Sequence, residues 1–162
     1  MIIRGFAPVS APDARILILG SMPGAASLEA GQYYAHSRNA FWPIMGALYG
    51  AGPELPYADR VRHLQARGVA VWDVLQSCVR EGSLDADIRA EAPNDFAAFF
   101  AAHPAIRRVG LNGGKAAASF RKFAARSCPA GVQAVTLPST SPAHAARNFD
   151  DKCALWRAAL LA

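Results

Sequence analysis

The chain has 162 residues, 52% hydrophobic and 18% charged, which excludes a disordered polyelectrolyte and suits a single domain that buries roughly 70% of its unfolded surface. No apolar run approaches the roughly 18 residues of a membrane span, and MIIRGFAPVSAPDAR has no charged-then-apolar leader. The 3 cysteines, Cys78, Cys128 and Cys153, are odd in number and scattered, against a disulfide framework, a CxxC metal site or a four-cysteine cluster; a cytoplasmic protein without cofactor or metal is expected.

Net charge is +5, and it is uneven: residues 1–95 carry 8 basic and 10 acidic side chains, residues 96–162 carry 9 and 2. A basic half on an ordinary globular chain points to a polyanionic partner, nucleic acid first. The alternative is that arginine-rich, alanine-rich composition reflects a GC-rich coding sequence.

In chain order, ILILG (Ile16–Gly20) predicts a buried parallel strand ended by a glycine turn. A long polar loop, SMPGAASLEAGQYYAHSRNA, follows. FWPIMGALYG predicts a short helix ending at Gly50 with Pro43 in its first turn, and Tyr57–Arg67 an amphipathic helix stopped by Gly68. Gly68–Val74 reads as the second strand, and QSCVREGSLDADIRAEAP as a polar stretch. A helix over Asp95–His103 has Asn94 as its expected N-cap. Ile106–Asn112 is the third strand, Lys115–Ser127 a basic helix, and Val132–Pro138 the fourth strand. The loop STSPAHAA leads to a last helix from about Asn148. Strands alternating with helices predict an α/β fold: three layers, with a central, mostly parallel four-stranded sheet.

Ligands in such folds bind beyond the carboxyl ends of the strands. The loops expected there are SMPG, DVLQSC, NGGKA and PSTSPAHA. In GSMPG, the glycines Gly20 and Gly24 let backbone approach a ligand and Pro23 stiffens the turn, although it also reads as an ordinary strand-to-loop turn. YYAHSRNAFW is dense in functional side chains: Tyr34 suits stacking on an extruded base, and the Asn39 amide both donates and accepts. Asn112 stands at a strand end where an amide reads a base edge or, alternatively, caps the following helix, which carries Lys115. Ser139, Thr140, Ser141, His144 and Arg147 form a proline-stiffened loop suited to DNA phosphates, or a plain exposed turn.

Together, ILILGSMPG, YYAHSRNAFW, GVAVWDVLQSCVREGSLDADI, LNGGKA and LPSTSPAHA resemble the uracil-DNA glycosylase superfamily, most closely its hypoxanthine (deoxyinosine) DNA glycosylase branch. The resemblance runs in order from about Ile16 to the last helix. It implies a uracil-DNA glycosylase-like fold, a monofunctional hydrolase of N-glycosyl bonds in base excision repair, and a double-stranded DNA substrate embraced by a monomer. It places Gly20, Ser21, Met22 and Pro23 in the base pocket, Tyr34 against the flipped base, Asn112 at its edge, and the catalytic role on Asn39. Met22 stands where mismatch-specific relatives carry a catalytic asparagine, and the aspartate that works nearby in uracil-specific enzymes is not expected here. Leu137 replaces the histidine of the uracil enzymes. The Ser139–His144 loop matches the one that presses on the minor groove. A mismatch-type uracil or thymine glycosylase, or a non-catalytic DNA-binding module of the same fold, are the competing readings.

Overall fold

The computed structural model describes residues 2–144 and 146–161. Along these, the elements are β1 (Ile2–Arg4), β2 (Ile16–Gly20), α1 (Ala25–Ala30), α2 (Phe41–Tyr49), α3 (Tyr57–Ala66), β3 (Val69–Asp73), β4 (Leu75–Val79), β5 (Arg89–Pro93), α4 (Phe96–Ala102), β6 (Arg108–Asn112), α5 (Gly114–Phe123), β7 (Gln133–Leu137) and α6 (Phe149–Leu160). The four apolar runs predicted as strands make one sheet in the order β3-β2-β6-β7, every neighbour parallel. The register sets Gly20 beside Asp73, and Asn112 beside Leu137. These residues end their strands together, so the loops after them open at one edge.

The alternation of a strand sorts the core into two layers. Leu17 and Leu19 face one side with Val109 and Leu111, packed under Phe96, Phe99 and Phe100 of α4 and Ala117 and Phe120 of α5. Ile18 faces the other side with Val69, Val71 and Leu137, beneath Phe41, Ile44 and Met45 of α2, Leu64 of α3, and Trp156 and Leu160 of α6. This is the expected three-layer α/β/α arrangement. The Trp156 indole Nε1 donates to Pro138 O at 2.9 Å, tying the last helix to the loop after β7.

Four local expectations differ. The long polar loop after β2 contains the short helix α1, closed by Gly31 in the left-handed region at φ +66°. The polar stretch after β3 contains β4 and β5, which join β1 in a second, antiparallel sheet ordered β1-β4-β5. Register shifts between Leu75 and Ser77 and between Ser77 and Val79 break the period of two, so no clean alternation marks these strands in the sequence. The α4 N-cap is Asp95, whose side chain accepts from Ala98 N at 3.0 Å; Asn94 instead donates through Nδ2 to Asp73 O at 2.8 Å. The basic helix is shorter than expected, ending at Phe123 before a separate 3-10 turn over Ala125–Ser127.

Candidate active site

Where the loops after the parallel strands meet, they enclose a cavity of about 600 Å³. Its wall includes Gly20, Ser21, Met22 and Pro23 from the turn after β2, Asp73 at the end of β3, and Asn112 at the end of β6. Tyr34 and Asn39 come from the segment before α2, and Ser139, Thr140, Ser141 and His144 from the loop after β7. The residues expected at a base pocket are therefore brought together, with Lys115 and Arg147 outside its wall.

Hydrogen bonds fix this edge. The Asn112 amide Nδ2 donates to Thr140 Oγ1 at 3.0 Å and to the Tyr34 hydroxyl at 3.3 Å, while its Oδ1 accepts from Thr140 N at 3.0 Å. Ala40 N donates to Thr140 O at 3.0 Å. One asparagine thus joins strand, loop and tyrosine, and in this arrangement both of its donor hydrogens are used internally. Thr140, expected among the DNA contacts, is 1% exposed with its hydroxyl and N–H held by Asn112; it braces the loop and does not face a phosphate. Ser139 and Ser141 accept from Ser141 N and Ala143 N respectively, two side-chain turns that shape the loop and leave their hydroxyl hydrogens free to donate.

Asn39 has a fixed orientation. Its Oδ1 accepts from Phe41 N at 2.9 Å, closing a turn at the start of α2. A backbone N–H demands an oxygen there, so Nδ2 is the end left for a ligand, together with the second lone pair of Oδ1. Tyr34 adopts φ +53°, rare for a bulky residue, and its ring stacks on Phe41 with centroids 4.0 Å apart and planes at 19°. Burial, followed by the Asp73 charge, holds the Tyr34 phenol well above its ordinary range, so it stays neutral.

Asp73, at the head of the DVLQSC stretch but not singled out there, and Asp85 are cavity residues that sequence reasoning missed, and Asp73 puts a carboxylate where none was expected. It is 4% exposed, and its Oδ2 is buried without a hydrogen-bond partner. Burial first, and then the nearby Asp85 charge, push its carboxyl up to about 7 against the pull of Arg80. Ser21 Oγ donates to Asp85 Oδ1 at 2.7 Å and brings that second carboxylate to the wall. The Arg80 guanidinium is buried and donates to Pro23 O and Gly82 O, so it stiffens the turn after β2. The signal in the sequence was an acid closing an apolar strand, V-A-V-W-D.

Gly20 is required by proximity. A Cβ on it would lie 2.5 Å from Asp73 Oδ1 and 2.8 Å from the Tyr34 hydroxyl oxygen. Gly20→Ala should push both groups out of place, destabilising the protein by about 1–3 kcal/mol and closing the floor of the cavity. Thermal unfolding with a base-release assay checks this; an alanine variant with wild-type Tm and activity would contradict the packing described.

The positive charge of the second half lies mostly elsewhere than expected. Helices run back against the strands, so Arg107 and Arg108 at the start of β6, Arg121 and Lys122 in the last turn of α5, and Arg157 in the last turn of α6 all lie at the opposite edge of the sheet. There Arg108 donates to Ala159 O at 2.8 Å in the last turn of α6, and Arg121, Lys122 and Arg157 complement the C-termini of their own helices. Lys115 donates to Glu91 at 2.9 Å. Burial alone would raise Glu91, but the hydrogen bond and charge of Lys115, with Ser119, hold it below its ordinary range. Lys152 is buried and donates to His144 O at 2.7 Å, anchoring the 138–144 loop. Arg147 lines a shallow groove of about 690 Å³ that adjoins the cavity and shares Gly114, Ser139 and His144 with it. Arg38, next to Asn39 in the chain, is exposed. Among the described residues no group of three or more histidine, cysteine, aspartate or glutamate side chains is placed to hold a metal ion.

Comparison with known proteins bears on this site. The family model of the uracil DNA glycosylase superfamily matches residues 7–161. A hypoxanthine DNA glycosylase from Methanosarcina acetivorans is 34% identical over 145 residues, 89% of each chain. One from Methanosarcina barkeri is 36% identical over 113 residues, 69% of this chain and 72% of that one. A solution NMR structure of a candidate uracil DNA glycosylase from Methanosarcina acetivorans superposes with a TM-score of 0.80 at 32% identity, covering 98% of both chains.

Proposed function

The chain belongs to the uracil DNA glycosylase superfamily and is a DNA glycosylase that excises deaminated bases, and from this premise we propose that hypoxanthine is its preferred leaving base, removed from double-stranded DNA by a monomer in a purely hydrolytic reaction. The observation that carries the reading is the oriented Asn39 amide at a cavity whose neighbouring positions Met22 and Leu137 are apolar and buried. Neither supplies the polar group that uracil excision would use there. What the two Methanosarcina relatives are named for agrees.

The chemistry follows from the wall. A base in a duplex is out of reach, so the nucleotide must leave the stack, at a cost of a few kcal/mol that falls for a mispaired base. In this reading Arg147 and the hydroxyls of Ser139 and Ser141, with the exposed Arg38, donate to backbone phosphates around the extruded nucleotide. The Tyr34 ring, backed by Phe41, offers a flat face to the base. Asn39 orients the attacking water with the spare lone pair of Oδ1 and an Nδ2 hydrogen, and the bond between anomeric carbon and base nitrogen breaks as charge moves onto the base. An amide is a poor general base, so catalysis is positional and electrostatic. Lys115, the lysine in the four loops, is engaged by Glu91, which supports hydrolysis without a Schiff-base strand-cleaving step.

Duplexes with one inosine, uracil or xanthine, treated with protein and then hot alkali, test this on a denaturing gel. Scission is expected to be fastest at inosine and to depend on the alkali. Faster scission at uracil would make it a mismatch-type uracil enzyme, and inosine-specific binding with no scission would make it a non-catalytic module.

A further inference from the structure

We propose that Asp73 is the hydrogen-bond acceptor that reads the ring N–H created by deamination, so that the cavity selects the N–H/C=O edge shared by deaminated bases and rejects their amino parents. This rests on the glycosylase reading above. Most polar groups of the wall are already engaged. Asn112 and Thr140 hold each other, Ser21 donates to Asp85, and Ser27 accepts from Ala35 N. Of the buried side-chain atoms without a partner among the described residues, only Asp73 Oδ2 belongs to a residue of the cavity wall. The bare Cα of Gly20 beside Oδ1 keeps the floor open at that point.

The recognition is a matter of donors and acceptors. Deamination of adenine replaces the C6 amine by a carbonyl and places a hydrogen on N1; deamination of cytosine does the same at N3. The parent base presents a lone pair at that ring nitrogen. A carboxylate accepts the new N–H and repels the lone pair, and a site built around a buried acceptor discriminates strongly because a mismatch leaves it unpaired. The groups facing Asp73 are Asp85 from the 3-10 turn over Asp85–Asp87, Arg80 after β4, and the Tyr33 and Tyr34 phenols. With the carboxyl titrating at about 7, the accepting form gains population as pH rises through neutrality, whereas the protonated form at lower pH would donate to the lone pair of a parent base.

The test compares single-turnover release of hypoxanthine and N1-methylhypoxanthine, and of uracil and N3-methyluracil, each opposite an abasic-site analogue. Wild-type protein should release the N-methylated base at least ~100-fold more slowly than its parent lactam. Asp73→Asn, whose amide both donates and accepts, should lower hypoxanthine-over-adenine selectivity at least ~10-fold and abolish the rise in rate between pH 6 and 8. N-methylated bases released within threefold of their lactams, or unchanged selectivity and pH profile in Asp73→Asn, would overturn the assignment to Asp73 while leaving the glycosylase reading intact. Release of uracil in preference to hypoxanthine would overturn the hypoxanthine reading, and the N3-methyluracil arm would then decide the role of Asp73. Release of no base by wild type would overturn both.

Discussion

Asn39→Ala is expected to slow single-turnover base release by about 10²–10³-fold, the effect of removing one well-oriented polar group from a charge-developing transition state. Binding to undamaged duplex should stay within about twofold, because phosphate contacts set that affinity. Alanine also removes the acceptor for Phe41 N at the start of α2, a loss of about 1 kcal/mol, so reduced stability alone could slow the reaction. Asn39→Asp separates the two roles. It keeps the oxygen that closes the turn, and hence the fold, but loses the Nδ2 hydrogens and brings a charge toward the departing base. A stable Asn39→Asp protein that remains as slow as Asn39→Ala would show that the amide acts on the reaction; a folded Asn39→Ala protein with wild-type rates would reduce Asn39 to a turn-former.

Asp73→Asn is expected to make the protein more stable above neutral pH. The folded carboxyl titrates at about 7, against an ordinary value of 3.8. The folded state therefore binds the proton more tightly than the unfolded chain. Stability from this group is complete below about pH 4, falls by up to about 1.4 kcal/mol per unit as pH rises toward 7, and is flat above. An amide of the same shape has no such loss. The variant should match wild type near pH 4 and exceed it by a few kcal/mol at pH 8, a rise in Tm of roughly 5–10 °C for a chain of this length. Thermal unfolding from pH 4 to 8 reads the difference directly. Equal Tm values at pH 8 would mean that Asp73 is not a strained carboxylate. A carboxylate kept at such a disadvantage within a ligand cavity fits a group retained for recognition rather than for stability.

The parallel sheet was legible because each of its strands is a short apolar run closed by a glycine, an aspartate, an asparagine or a proline. The loops after Gly20, Asn112 and Leu137 could be assigned to one edge from topology alone. Asn39 and Tyr34 were legible from the crowding of polar and aromatic side chains in YYAHSRNAFW. Asp73 was not, since one acid at the end of an apolar strand does not show whether it faces solvent or a cavity. That depends on Gly20 in the neighbouring strand and on Arg80 and Asp85 from the bulged, polar segment whose strands were themselves hidden. Lys115 failed for the same reason: Glu91, which holds it, lies on unread β5. The basic half misled because charge counted along the chain says nothing of which edge of the sheet a helix end reaches.

The most direct test of hydrolytic hypoxanthine removal at this cavity is the identity of the products. A duplex with one inosine would be incubated with excess protein and resolved, without alkali, by chromatography and mass spectrometry. Free hypoxanthine in step with an uncut abasic strand, both lost in Asn39→Ala, is the predicted result. Intact inosine, or a strand broken before alkali is added, would contradict it.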